Sequence, residues 1–88
     1  MTTKKEIIQQ QMNETVQALT ILKDEEGVPK NVRIKLESIL TILNEESEPS
    51  LKIGKSLHIL EEISEDLNLP SFIRTQVWNV SSMLEKLN

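Results

Sequence analysis

Two six-residue stretches decide how this chain folds: Val28-Pro29-Lys30-Asn31-Val32-Arg33 and Leu69-Pro70-Ser71-Phe72-Ile73-Arg74. Each places an apolar residue before a proline and an arginine four positions after it, and the two prolines stand 41 positions apart. Proline suits the first turn of a helix, where its missing N–H group is not needed. Each stretch therefore predicts a tight turn that leads into a helix.

The offset of 41 residues also aligns the apolar stripes on both sides of each turn. The apolar residues recur at spacings of three and four, which is the period of a helix with one buried face. The aligned pairs are Met12 with Ile53, Val16 with Leu57, Leu19 with Leu60, Leu22 with Ile63, Val28 with Leu69, Val32 with Ile73, Leu36 with Val77, Ile39 with Val80 and Leu43 with Leu84. We interpret this as a duplicated helical hairpin; the alternative is two hairpins that are merely patterned alike.

Helix-breaking residues divide the chain into four predicted helices, at about 4–23, 29–44, 50–66 and 70–87. Thr3 and Glu6 have the spacing of a capping box at the start of the first helix. No alternation typical of strands competes with the helical period. Two repeats are too few for a free-standing solenoid. We therefore predict an all-α fold, a four-helix up-and-down antiparallel bundle made of two pseudo-repeated helical hairpins. It forms one helical domain over 1–88, with hairpin repeats at about 4–44 and 50–87.

Composition narrows the function classes. The 88 residues are 38% hydrophobic and only 2% aromatic, so the core must be built from Ile, Leu and Val. The net charge of −4 makes nucleic acid an unfavoured partner, because phosphate neutralisation needs an excess of Lys and Arg on one face. Cysteine is absent, and neither a signal peptide nor an apolar run of roughly 18 residues is visible. We predict a cytoplasmic protein with no membrane segment.

Arg33 and Arg74 are the first candidate site residues. Both lie near the first turn of a helix, where a cation opposes the helix dipole and needs a compensating partner. The acidic residues that end the preceding helices could supply structural ion pairs that lock each hairpin. The alternative is a site for an anion or for a partner molecule.

Trp78 is the second candidate. It lies about 140° around its helix from Ile73, on the outward side, and its repeat counterpart is the charged Glu37. It is either packed at the rim of the bundle or an anchor in a protein interface, where tryptophan is enriched. Other apolar residues off the main stripes could serve a second packing face or a dimer interface: Ile7, Ile21, Ile34 and Leu51.

Catalytic and metal-binding patterns are missing from the sequence. The single histidine, His58, lies about 140° from Ile53 and has no second nitrogen or sulfur ligand. No Ca²⁺ loop, phosphate-binding glycine loop or nucleophile motif is present. We predict no enzyme activity, no catalytic residues, no metal, no cofactor and no small-molecule substrate.

The segments Val28 to Arg33, Leu60-Glu61-Glu62-Ile63-Ser64 and Leu69-Pro70 through Trp78-Asn79 resemble a family of short archaeal proteins of unknown function, uncharacterised protein family zero-one-four-seven. The resemblance extends over about 6–87. It implies a four-helix up-and-down bundle from an archaeal cytoplasm, and it brings no established activity and no site residues.

Our leading hypothesis is a non-enzymatic protein-interaction or self-association module that binds a protein partner, or a second copy as a homodimer, around Trp78. The alternative is an accessory nucleic-acid-binding protein that uses the end of the bundle carrying Arg33 and Arg74. A third hypothesis, an enzyme with an unrecognised carboxylate or arginine site, has the least support.

Overall fold

The computed structural model describes residues 3–87, which form four helices in the order α1 (Lys4–Lys23), α2 (Lys30–Leu43), α3 (Pro49–Ser64) and α4 (Ser71–Glu85). No strand occurs among these residues. The predicted boundaries are correct to within two residues at each end. The all-α fold class predicted from the periodicity is confirmed.

Local sequence explains where the helices start and stop. The Thr3 hydroxyl accepts a hydrogen bond of 3.2 Å from the Glu6 N–H group, as the capping box predicts. Pro29 and Pro70 lie one residue before α2 and α4, whereas Pro49 is the first residue of α3, one position before the predicted start of that helix. Gly27 has a φ of +94°, a left-handed conformation that favours glycine and turns the chain after α1.

Each helix packs against two neighbours, and together they close a four-helix bundle. α1 contacts α2 and α4, and α3 contacts α2 and α4, whereas the diagonal pairs lie apart across residues 3–87. Consecutive helices run antiparallel because the turns between them are short. The bundle is elongated, with extents of 44 × 21 × 18 Å.

The buried residues repeat with the same offset of 41 as the sequence. In the first hairpin they are Met12, Thr15, Leu19, Leu22, Val28, Val32, Leu36, Ile39 and Leu43, and each has a buried counterpart 41 positions later. This pattern supports the proposal that the hairpins arose by duplication.

The core differs from the apolar stripe at one pair of positions. Val16 and Leu57 are only half-buried, whereas the neighbouring Thr15 and Ser56 are completely buried. Thr15 and Ser56 are repeat counterparts of each other. The bundle thus encloses a small hydroxyl side chain at equivalent positions of α1 and α3. A prediction of the buried face from apolar residues alone misses both. Leu67 is 95% exposed in the turn before α4.

Candidate functional site

Arg33 and Arg74 occupy equivalent places in the two hairpins and share one equivalent contact, to the carbonyl oxygens of the counterpart residues Lys23 and Ser64. Arg33 Nε donates to the carbonyl oxygen of Lys23 at 3.0 Å. Arg74 donates through Nη1 to the carbonyl oxygen of Ser64 and through Nη2 to that of Asp66, the latter at 2.9 Å. Each arginine thereby ties the start of one helix to the end of the helix before it.

These contacts explain how the cation is tolerated. The last carbonyl groups of a helix lack intrahelical partners and carry the negative end of the helix dipole. The arginine side chain reaches back to these groups at the end of α1 or α3, and this attraction offsets its unfavourable position at the start of α2 or α4. The expected partner was a carboxylate, and the partner observed is backbone carbonyl oxygen. Both arginines are half-buried and lie near the start of α2 or α4.

The seam between α2 and α3 is crossed by polar side chains. Lys35 Nζ lies 3.7 Å from Glu62 Oε2, and Asn31 Nδ2 donates to Asp66 Oδ2 at 3.2 Å. The Asn68 N–H group also donates to Asp66, at Oδ1, at 2.9 Å. That backbone hydrogen bond, followed by the one from Asn31, holds the pKa of Asp66 below its ordinary value because both stabilise the carboxylate.

The opposite end of this seam is held by one lysine. Lys52 Nζ donates to the carbonyl oxygens of Leu43 and Glu45, at 3.3 and 3.1 Å. Leu43 is the last residue of α2 and Glu45 lies in the turn after it, so the lysine plays the same part there that the arginines play at the other turns. Side chains thus link α2 to α3 near both ends of their seam.

Trp78 is on the surface, with 58% of its area exposed. It follows Arg74 by one helical turn, on the side of α4 that faces α3. It does not belong to the core or to the half-buried apolar residues packed against the core. The bundle therefore presents the largest apolar side chain of the chain to solvent.

The comparison between Trp78 and Glu37 extends to every large exposed apolar side chain within residues 3–87. Each has a polar residue at its counterpart position, 41 residues away. The pairs are Ile7 with Glu48, Ile21 with Glu62, Ile34 with Thr75, Leu51 with Gln10, Leu67 with Glu26, Phe72 with Asn31 and Trp78 with Glu37. Since the same hairpin accepts a polar residue at each position, the fold does not require the apolar ones.

Two shallow grooves lie where α1 meets α4. One, of about 180 Å³, is lined by Gln11, Glu14, Thr15, Met83 and Lys86. The other, of about 200 Å³, is lined by Ala18, Ile21, Leu22, Glu25 and Gln76. Phe72 precedes Gln76 by one turn of α4, so it lies on the same side of the helix. We call this surface, with Phe72 included, the α1–α4 face.

The sequence difference at Ala18 explains the second groove. The repeat counterpart of Ala18 is Ile59, which is half-buried and packed against the core on the α2–α3 side. Alanine at the equivalent place in α1 leaves the volume of a larger side chain unfilled. The groove and Phe72 were not predicted from the sequence, although applying the repeat offset to the surface residues would have found Phe72.

His58 offers no site chemistry of its own. Its side chain is 75% exposed, and Nε2 lies 3.3 Å from Glu62 Oε1 one turn along α3. Across residues 3–87, no three His, Cys, Asp or Glu side chains are grouped so that they could hold a metal ion. Nor is any helix in that range long and apolar enough to cross a membrane.

Comparison with known proteins places the chain among relatives that it matches over most of their length. The model of the Uncharacterised protein family (UPF0147) matches residues 1–87. A UPF0147 protein of Methanosarcina mazei is 43% identical over 77 residues, which are 86% of this chain and 83% of the relative. One from Pyrococcus abyssi is 36% identical over 83 residues, which are 91% of this chain and 95% of the relative.

Solved structures agree with the sequence relatives. The crystal structure of a protein from the uncharacterised family UPF0147 from Thermoplasma acidophilum is 33% identical, covers 91% of this chain and 95% of its own, and superposes with a TM-score of 0.85. The crystal structure of the protein of unknown function MMP1188 is 28% identical, covers 98% of this chain and 94% of its own, and has a TM-score of 0.83. None of these names states an activity. The resemblance found in the sequence is confirmed, and the chain belongs to the UPF0147 family.

Proposed function

We propose that this protein is a non-enzymatic interaction module that binds another protein through Trp78 and other exposed apolar side chains. The observation that carries the proposal is the divergence between the two hairpins: all seven large exposed apolar residues within residues 3–87 replace a polar residue of the other repeat. Isolated apolar residues on a surface need no explanation. Seven such differences, three apolar residues in the first hairpin and four in the second, one of them a tryptophan, fit a surface kept for binding.

Trp78 is the strongest candidate anchor. Tryptophan is enriched among the residues that contribute most to protein interfaces, because it buries a large area at low conformational cost. Its counterpart Glu37 is exposed on the same fold. The substitution Trp78→Glu should therefore leave the bundle intact and remove the anchor.

Nucleic-acid binding at the arginine end has less support. Arg33 and Arg74 both donate to backbone carbonyl groups, so each guanidinium group has a structural task. The net charge of −4 opposes phosphate as well. The interaction module is proposed for the cytoplasm, in keeping with a chain that contains no cysteine.

A comparison of bait proteins in native cell extract tests the proposal. The baits are the wild type, Trp78→Glu, and Thr41→Glu, which adds the same charge at an exposed position of α2. We expect a protein retained by the wild type and by Thr41→Glu and lost with Trp78→Glu. With the purified partner, emission from Trp78 should shift to shorter wavelength, since it is the only tryptophan. Equal retention by all three baits, or none by any, would contradict the proposal.

A further inference from the structure

Trp78 lies beside residues of α3 on the outer surface of the second hairpin. On α3, Lys52 points towards α2, because it donates to carbonyl oxygens at the end of that helix. Glu61 is nine positions after Lys52, which is two and a half turns, so it lies on the opposite side of α3, towards α4. Leu57, one turn before Glu61, lies on the same side. We call the outer surface of this seam the α3–α4 rim; it comprises Leu57, Glu61, Glu65, Trp78, Ser81 and Glu85.

The seam beside Trp78 is shallower than the equivalent seam of the first hairpin. Ser81, three positions after Trp78, is the counterpart of Leu40, which is half-buried and packs against the core. On α3, Gly54 is the counterpart of Asn13, and a side chain at Gly54 would have open space around it. Smaller residues on both helices therefore leave room at the α3–α4 rim for a side chain of another molecule.

The charge of the rim also differs between the two hairpins. Five counterpart pairs carry the difference: Lys23 with Ser64, Lys30 with Ser71, Thr20 with Glu61, Asn44 with Glu85 and Glu37 with Trp78. At these positions the first hairpin has two lysines and one glutamate, whereas the second has two glutamates and no basic residue. Asp24 and Glu65 add one carboxylate to each side. The same fold is therefore nearly neutral around Glu37 and acidic around Trp78.

The carboxylates of the α3–α4 rim are not neutralised by the described part of the molecule. Glu61, Glu65 and Glu85 are exposed, and none of them forms an ion pair within residues 3–87. Arg74 lies on the same side of α4, but its guanidinium group donates to backbone carbonyl oxygens. Glu85 follows Trp78 by seven positions, which is about 10 Å along the helix, whereas Glu61 and Glu65 lie on the other side of Trp78, towards the turn. The indole ring thus lies between carboxylates.

We infer that the α3–α4 rim binds a basic segment of another protein, with an arginine side chain stacked on the indole ring of Trp78. A guanidinium group is planar and weakly hydrated, so it stacks on an aromatic face and pairs with a neighbouring carboxylate at the same time. Its aliphatic stem fits the shallow seam over Leu57, and further basic residues of the segment face Glu65 and Glu85. The inference rests on the proposed function, since it states the chemistry of the partner that Trp78 anchors.

Peptide titration followed by NMR tests the inference with the full chain. The probe is a blocked heptapeptide in which arginine alternates with glycine, and two further peptides carry lysine or glutamate in place of arginine. The indole N–H signal is unique, because Trp78 is the only tryptophan. We expect the arginine peptide to shift this signal saturably and to bind more tightly than the lysine peptide, and the glutamate peptide to leave the signal in place. An indole signal unmoved by the arginine peptide up to about 10 mM, or equal binding of the arginine and lysine peptides, would overturn the inference.

Variants test which residues hold the peptide. Glu61→Thr combined with Glu85→Asn copies the first hairpin, and we expect it to weaken binding of the arginine peptide by at least about tenfold. The matched control, Glu14→Gln with Glu26→Gln, removes the same charge away from the rim and should weaken binding by less than about threefold because of screening. Trp78→Leu, followed through backbone signals of α3, should weaken binding about threefold to fivefold. Circular dichroism checks that each variant is folded, and equal affinity in all of them would overturn the inference.

The bait comparison decides the proposed function separately. A protein whose retention depends on Trp78 but not on Glu61 and Glu85 would reject the basic segment and leave the proposed function standing. Peptide binding at the rim, without any protein whose retention depends on Trp78, would support the site and contradict the proposed function. Self-association of the wild type in sedimentation equilibrium that is lost with Trp78→Leu would identify a second copy as the occupant and overturn the inference.

Discussion

Replacing Ser56 with alanine should stabilise the bundle. Ser56 is completely buried in α3, and its Oγ atom is the one buried side-chain polar atom within residues 3–87 that lacks a hydrogen-bond partner. A buried polar group without a partner costs about 1–3 kcal/mol of desolvation free energy. Alanine also has a higher helix propensity than serine, by roughly 0.5 kcal/mol. The substitution also removes the packing contacts of one oxygen atom, which opposes these two gains in stability.

Thr15, the repeat counterpart, is the matched control. Its hydroxyl donates to the carbonyl oxygen of Gln11 at 2.9 Å, so it is satisfied. Thr15→Ala removes that hydrogen bond, worth about 1 kcal/mol, and a buried methyl group worth about 0.8 kcal/mol. The better helix propensity of alanine offsets part of the loss. We expect Ser56→Ala to raise the free energy of unfolding by about 1–2 kcal/mol and Thr15→Ala to lower it by about 1 kcal/mol.

Urea unfolding followed by far-UV circular dichroism measures both changes. The midpoints should move in opposite directions while the dependence on urea stays constant, since the area exposed on unfolding barely changes. In a thermal scan, each kcal/mol corresponds to a shift of roughly 4–8 °C for a chain of this size. A loss of stability in Ser56→Ala, comparable to that in Thr15→Ala, would refute the reasoning. It would mean that the Ser56 hydroxyl is satisfied in solution, by a buried water molecule or by the carbonyl group one turn earlier.

The remaining predictions concern the turns and one helix. Arg74→Ala should lower the free energy of unfolding by about 2 kcal/mol because it removes two hydrogen bonds to carbonyls, and Arg33→Ala by about half as much; equal losses in urea unfolding would contradict this. Gly27→Ala should destabilise by about 1 kcal/mol or more because of the positive φ, while Gly54→Ala, in open space on α3, should stabilise by about 1 kcal/mol; thermal unfolding compares the two. Because the folded-state pKa of Asp66 is lowered, its contribution to stability is present above the unfolded pKa and is lost as the pH falls through the folded value. Asp66→Asn should therefore lose less stability than the wild type between pH 5 and about pH 2, and identical acid titrations would argue against the hydrogen bonds from Asn68 and Asn31.

The fold could be predicted because helical period, proline position and the repeat all point to one arrangement. Pro29 and Pro70 set the register of both hairpins, and the apolar stripes leave only one face of each helix to bury. The burial of Thr15 and Ser56 could not be predicted in the same way. Each lies one position before an apolar residue of the stripe. Their burial depends on how closely the neighbouring helices approach, and the spacing of residues along one helix does not specify that distance.

The contacts of the site residues were only partly predictable, for a related reason. The helix dipole correctly indicated that the Arg74 side chain needs a partner. The partners expected from the sequence were acidic side chains, which carry the nearest opposite charge. A long guanidinium group at a tight turn can instead reach a carbonyl group at the end of the preceding helix, as Arg74 reaches that of Ser64, and such a carbonyl is fixed in place and needs a donor. For Trp78, helical angle gave its outward direction, whereas its exposure depends on whether a neighbouring helix covers that direction.

In a duplicated fold, comparison of the two repeats distinguishes residues that folding requires from residues that are kept for function. Equivalent positions of two hairpins meet the same packing requirement, so a residue that the fold needs should be matched in both, as Leu36 is by Val77. Where one copy exposes Phe72 or Trp78 and the other exposes Asn31 or Glu37, packing gives no reason for the apolar choice. Such exposure carries a cost in solubility, and a benefit that only one of the two hairpins supplies must offset it.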